Sequence, residues 1–195
     1  MSEREIENPS TTYAPNEIPE EEQATQTADD VAADIVLEDG DASLEAVSPQ
    51  DATPPSWRVA KALLALREQV NAMAPNRRKK SDGTIGDAAH ASRASDHNPW
   101  VRDGATGVVT AMDITNDPDG GCDAGALANA LLASRDPRIK YVIFNRRIAS
   151  YQQKGTAAPF QWRPYAGSNP HTHHVHISVR EVQTAYDSTS PWTIR

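Results

Sequence analysis

Eight consecutive residues, Thr172-His173-His174-Val175-His176-Ile177-Ser178-Val179, constrain this chain more than any other stretch. His174, His176 and Ser178 fall on one side of the alternation, and His173, Val175, Ile177 and Val179 on the other. Period-two alternation with β-branched residues reads as a strand packed on a core through its apolar face. Residues two apart on a strand project the same way, with Cα atoms about 6.6 Å apart. His174 and His176 can therefore share one site, while His173 points to the opposite face. Four of the six histidines of the protein lie within residues 171–176. Two imidazoles aimed together suit a metal site or acid–base chemistry. The competing reading is a surface strand that is merely rich in histidine. An expression tag is not expected, because the cluster is internal and interrupted by Thr and Val.

What surrounds this strand depends on how charge is divided along the chain. The formal net charge is −8, but residues 1–55 hold fifteen Asp or Glu against the single base Arg4, a net of −14. The remaining residues then carry −8 + 14 = +6. The reading is an acidic arm, 1–55, joined to a basic domain, 56–195. The arm has no Trp or Phe and cannot bury enough apolar surface to offset its conformational entropy, so it is expected to be disordered. The domain is long enough for one hydrophobic core. Cys122 is the only cysteine, which excludes an intramolecular disulfide and a Cys-rich zinc site. Met1-Ser2-Glu3-Arg4-Glu5 has no apolar run, so no standard secretory signal is expected, and no stretch reaches the roughly 18 apolar residues of a membrane span.

Along the domain, Pro54-Pro55 ends the arm and Ser56 reads as the N-cap of a helix over 57–72, with Trp57, Ala60, Leu63, Leu64, Arg67 and Val70 at helical spacing. Asn76-Arg77-Arg78-Lys79-Lys80 lacks interleaved aromatics and reads as a solvated surface turn rather than a nucleic-acid patch. Residues 81–106 read as a long irregular segment carrying His90 and Ser95-Asp96-His97, and long loops in compact domains are commonly functional. A strand over 107–114 carries Asp113 near its end, where a carboxylate is costly to bury unless paired or bound to metal. A helix over Ala124–Ser134 follows, then a strand over 140–145, a hairpin partner at 147–150, a loop over 153–170 and the histidine strand, 173–179. The fold class expected is α+β: a small, mostly antiparallel sheet, helices on one face and a zinc groove on the other.

Three features converge: His97 in a polar loop, Asp113 on one strand, and His174-x-His176 on another. A catalytic zinc site needs three protein ligands and an open position, and two His with one Asp supply that set. Zinc so held retains a net charge of about +1 and lowers the pKa of water toward neutrality.

At this point the chain resembles a known family. Ser95-x-His97, the strand end Ala111-Met112-Asp113, and His174-x-His176 are similar to the signature of the D-alanyl-D-alanine carboxypeptidase and L-alanoyl-D-glutamate endopeptidase group. These are zinc peptidases of bacteria and phages that share a fold with the lysostaphin type and the hedgehog domain. Arg135 to Ile143 and Trp162-Arg163-Pro164-Tyr165 are similar to phage-type members. The resemblance spans roughly residues 57–180. It implies Zn²⁺ as cofactor with His97, Asp113 and His176 as ligands. It also implies His174 as the catalytic group that activates water or stabilises the tetrahedral intermediate. Two differences stand out: His173 occupies the place where many carboxypeptidases carry Glu or Asp, and sixteen positions separate His97 from Asp113, with Trp100–Thr106 as an apparent insertion.

Other residues keep two readings each. Arg93 either binds a substrate carboxylate or an oxyanion, or is a plain surface arginine. His171 either contacts substrate or orients a ligand. Trp162 and Tyr165 either wall a peptide groove or pack in the core. The function implied is a zinc peptidase acting on the stem peptides or cross-links of peptidoglycan, with the basic domain suited to an anionic wall. The competing function is a catalytically inactive zinc- or peptide-binding module. The chain is expected to act as a monomer, without nucleic acid. It would be made in the cytoplasm and reach the wall by a non-standard route, with the acidic arm docking it on a phage particle or secretion machinery, or masking the basic domain.

Overall fold

The computed structural model describes residues 56–85, 95–167 and 169–195. The acidic arm, His90 and Arg93 lie outside the described residues. The chain order is β1 (Ser56–Val59), α1 (Lys61–Met73), β2 (Val101–Asp103), β3 (Thr106–Val109), β4 (Ala111–Thr115), α2 (Ala124–Ser134), β5 (Ile139–Phe144), β6 (Arg147–Ser150), β7 (Arg163–Pro164), β8 (His174–Val179) and α3 (Gln183–Tyr186). A short 3-10 turn, Pro118–Gly120, precedes α2. The class is α+β, as expected, but the strands form two sheets. One has the order β1-β3-β2, with β1 parallel to β3; the other is antiparallel throughout, in the order β4-β8-β5-β6-β7.

The core lies on one face of the five-stranded sheet. Met112 and Ile114 of β4, Val142 of β5 and Val175, Ile177 and Val179 of β8 meet Leu63, Leu66 and Val70 of α1 and Leu127 and Leu131 of α2. The 3–4 spacing in each helix puts its apolar residues on one stripe. Trp192 closes this layer from the C-terminal segment: its indole N–H donates to the Ala62 carbonyl at 2.8 Å, and the Arg138 guanidinium lies 3.7 Å from its ring centroid. The described residues contain no helix long and apolar enough to cross a membrane.

Three local expectations need correction. Ser56 is not an N-cap: residues 56–59 are extended as β1, and α1 begins after Ala60 with no side-chain cap. Parallel pairing with β3 overrides the helical spacing of Trp57. The strand expected over 107–114 breaks at Thr110, so β3 and β4 belong to different sheets. Thr110 is not idle there: its N–H donates to the Asp96 carbonyl at 3.0 Å, and its own carbonyl accepts from Val179 at 2.9 Å. The helix read over Ala124–Ser134 has those bounds, because the Asp123 side chain caps the amides of Gly125 and Ala126. Finally, Trp100–Thr106 is no featureless insertion; Val101–Asp103 pairs antiparallel with β3, and Asp103 meets Arg58 at 2.8 Å.

The basic run is a surface segment, with Asn76, Arg78, Lys79 and Lys80 exposed, but one of its residues departs from a solvated turn. Arg77 is buried, donating to Asp82 at 2.8 and 2.6 Å and to Asn71 at 3.0 Å, while Arg78 binds Asp117 through its backbone and side chain. Asp82 in turn accepts from the Thr115 amide and hydroxyl at 2.9 and 2.8 Å. Gly83 then bridges Asp113, with Asp113 N donating to Gly83 O at 2.8 Å. This segment covers the edge of β4 that β8 does not, leaving no exposed ladder beside Asp113.

Candidate metal centre

Strand alternation decides what the second face of the five-stranded sheet carries. Register places Asp113 of β4 opposite His176 of β8, and His176 opposite Ile143 of β5; Thr115 lies opposite His174, and Ser178 opposite both Ala111 and Tyr141. His174, His176 and Ser178 therefore share a face with Asp113, Tyr141 and Ile143, while Val175, Ile177 and Val179 enter the core. His97 reaches the same face from the loop before β2. Asp96, its neighbour, fixes that loop by pairing with Lys140 at 2.9 Å in addition to its bond with Thr110. Burial opposes the Lys140 charge, but Asp96 and Glu181 outweigh it and hold the ammonium above its ordinary pKa.

Three donor atoms converge. His97 Nε2 lies 3.1 Å from His176 Nδ1 and 3.5 Å from Asp113 Oδ1, and His176 Nδ1 lies 3.1 Å from Asp113 Oδ1. Ligands at about 2.0–2.2 Å around a tetrahedral zinc are separated by about 3.3–3.5 Å along each tetrahedron edge. The observed triangle has nearly that size. Two neutral imidazoles bring at most one ring proton each, and those cannot satisfy every edge; a cation facing all three atoms can. This buried set could hold a metal ion.

The surroundings fit a metal as well. His176 Nε2 lies 3.1 Å from Ser178 Oγ, a hydroxyl able to accept the remaining ring proton and leave Nδ1 as a ligand. Tyr141 stacks on the same ring, centroids 5.4 Å apart and planes 7° apart. Burial opposes ionisation of Asp113. The charges of His174 and His97 and the bonds from His176 and His97 outweigh it, holding the carboxyl well below the usual carboxylate range. The centre is closed: His97 is 1% exposed, Asp113 3%, His174 2% and His176 0%.

His174 stands beside the triangle, its Nε2 3.7 Å from Asp113 Oδ2, the oxygen the triangle does not use. His171 packs edge-on against His174 and His176, at 5.0 and 5.7 Å between centroids, and Tyr165 packs edge-on against His171 at 5.5 Å. The His171 backbone is left-handed, φ 49°, and its amide and Nδ1 meet Asn169 Oδ1 and O at 2.9 and 3.0 Å. A non-glycine residue held at positive φ is strained and persists only where its surroundings over-determine it. Five of the sequence candidates thus meet at one place: His97, Asp113, His174, His176 and His171, with Tyr165 behind. Trp162 does not. Its indole donates to Asn129 of α2 at 3.0 Å and its ring lies under Arg147, on the helix side of the sheet. His173 is exposed, opposite the centre.

Sequence reasoning gave no role to Ser178, Tyr141, Asn169 or Lys140. Ser178 was within reach, since it continues the alternation of His174 and His176. Tyr141 was not, because its place under His176 depends on the pairing of β5 with β8. No family model, curated protein or solved structure matches this chain.

Proposed function

We propose that the protein is a zinc-dependent peptidase acting on the stem peptides or cross-links of peptidoglycan. The observation that carries the reading is the triangle of His97 Nε2, Asp113 Oδ1 and His176 Nδ1 with a further imidazole, His174, at its edge. Two His and one carboxylate, with another acid–base group beside them, form the set that hydrolytic zinc sites use. The peptidoglycan part of the reading rests on the similarity of the Ser95-x-His97, Ala111-Met112-Asp113 and His174-x-His176 motifs to the wall peptidases, and on the basic character of residues 56–195.

A bound zinc ion supplies a Lewis acid and lowers the pKa of water toward about 7. The residues do the rest. Asp113 brings the negative charge that balances a cation in a buried place, and Ser178 holds the proton on His176 Nε2 so that Nδ1 faces inward. His174 Nε2 is positioned to take a proton from an attacking water or to donate to a developing oxyanion. Asp113 Oδ2 lies 3.7 Å from that nitrogen.

The closed centre favours a second reading. Structural zinc sites are four-coordinate and sealed, and His174 is a further buried imidazole beside the triangle. In that case the protein is a zinc-holding binding module without hydrolytic activity.

Metal content decides first, measured for the intact protein and for a His97→Ala, Asp113→Ala double variant. Both are then incubated with purified peptidoglycan and the released fragments weighed by mass spectrometry. One zinc per chain and peptide release, both lost in the variant, supports the peptidase. Zinc without fragments supports the binding module, and absence of zinc refutes both.

A further inference from the structure

Two of the three triangle atoms are carried by paired strands, since Asp113 of β4 lies opposite His176 of β8. The third, His97 Nε2, comes from a segment outside the five-stranded sheet, and its place depends on what ties that segment down. Backbone groups supply part of the answer. His97 N donates to Ser95 Oγ at 3.2 Å, Asn98 N to Ser95 O at 2.9 Å, and Thr110 N to Asp96 O at 3.0 Å. A charged tie is added by Lys140. Its ammonium donates to both Asp96 carboxylate oxygens, at 2.9 and 3.0 Å, and to Glu181 Oε1 at 2.7 Å.

Lys140 stands where β5 is irregular. Ile139 lies opposite Val179 and Tyr141 opposite Ser178, so β5 advances two residues while β8 advances one. Lys140 is the additional residue of a bulge, a device that re-aims a side chain beside a site. The bulge also resets strand parity. Ile139 enters the core, whereas Tyr141, two residues on, enters the opposite face and stacks on His176. In a regular strand those two residues would share one face. The two arms of the ammonium are unequal: the Asp96 side chain is 15% exposed and that of Glu181 42%. An exposed pair contributes little, whereas removing the partner of a mostly buried carboxylate leaves that charge uncompensated. The Asp96 arm is therefore the one that holds, and it acts on the residue next to His97.

We infer that Lys140 is a positioning residue, which through Asp96 holds His97 against Asp113 and His176 and so sets how tightly the centre keeps its metal. The inference rests on the metal-centre reading, and its sign separates it from plain electrostatics. A positive charge near a metal cation repels it, so by charge alone Lys140→Gln would tighten binding. Loss of positioning weakens binding instead, by about 10–100-fold, the usual cost of removing a group that orients a ligand.

The test titrates cobalt(II), against a competing chelator, into the full chain and into Lys140→Gln, Asp96→Asn and the double variant. Each single variant should bind cobalt about 10–100-fold more weakly. The double variant should bind no more weakly than the weaker single, because both changes break one pair. Equal or tighter binding by Lys140→Gln overturns the inference. An additive double variant overturns it too, since Lys140 would then act by another route, such as the Tyr141 ring centred 5.7 Å from its ammonium. Hydrogen exchange of the metal-free protein gives a second readout. The Thr110 amide, bonded to Asp96 O, should exchange faster in Lys140→Gln, while the amides of the β4–β8 ladder keep their rates. Acceleration of all these amides alike, or of none, overturns the brace. If Lys140→Gln does not fold, the same amide pattern in Asp96→Asn decides. An intact chain that takes up no cobalt overturns the metal-centre reading and the affinity claim with it, and the Thr110 amide then decides the brace alone.

Discussion

Asp113 meets two opposed demands: burial disfavours its charge, and the three imidazoles around it favour that charge. The geometry resolves them by giving each carboxylate oxygen its own neighbour, Oδ1 toward His176 and His97, Oδ2 toward His174. This separation makes the residue roles distinguishable. A His174→Gln substitution should leave one metal per chain in place and lower kcat by about 10²–10⁴-fold, the usual worth of an acid–base group; loss of the metal would instead make His174 a ligand. Ser178→Ala should leave the fold intact and weaken metal affinity by about 10–100-fold, the usual cost of removing a group that orients a ligand, measured by chelator competition. His97, Asp113, His174 and His176 were legible as a group because their residue types are chemically rare in such places and two of them share a strand parity. The contributions of Tyr141 and Asn169 were not legible, since they arise from long-range pairing and from a left-handed turn.

Among the elements, the histidine strand read correctly because alternation is a local property. Its neighbours read less well. Ser56–Val59 has the residues of a helix start and becomes a strand only because β3 is available to pair with it, and β3 in turn separates from β4 at a residue, Thr110, with no composition to mark the break. The turn after β4 is held by Asp117, whose carboxyl is lowered to about 2 by hydrogen bonds from the Arg78 side chain and backbone. Because this pKa is depressed in the folded state, its stabilising contribution is complete above the ordinary carboxylate value and is lost as the pH falls through about 2. An Asp117→Asn variant should therefore be less stable at neutral pH and lose less stability on acidification below about pH 4, as followed by urea midpoints; parallel pH curves would refute the linkage. Gly120 belongs to the same turn. A Cβ there would stand 2.1 Å from Asp117 Oδ2 and 2.9 Å from the Arg77 Cα. Gly120→Ala should lower the urea midpoint by breaking this arrangement; an unchanged midpoint would show that Asp117 can move aside.

For the molecule as a whole, the division into an acidic arm and a basic domain is the statement sequence makes most directly, because charge is additive along a chain. The number of sheets is not additive and was misread, since one continuous apolar run can serve two sheets if its backbone turns between them. That turn has a further consequence. Thr110 is fixed at both backbone groups, to the Asp96 that precedes His97 and to the Val179 that ends the histidine strand. The chain has no slack between these anchors, so the parity of the count from Thr110 decides whether Asp113 or Met112 looks toward His176. Adding one glycine between Thr110 and Ala111 should abolish metal retention, and adding two should restore part of it; full retention after one insertion would mean that the break absorbs it as a bulge. Odd or even, in this chain, is a chemical variable.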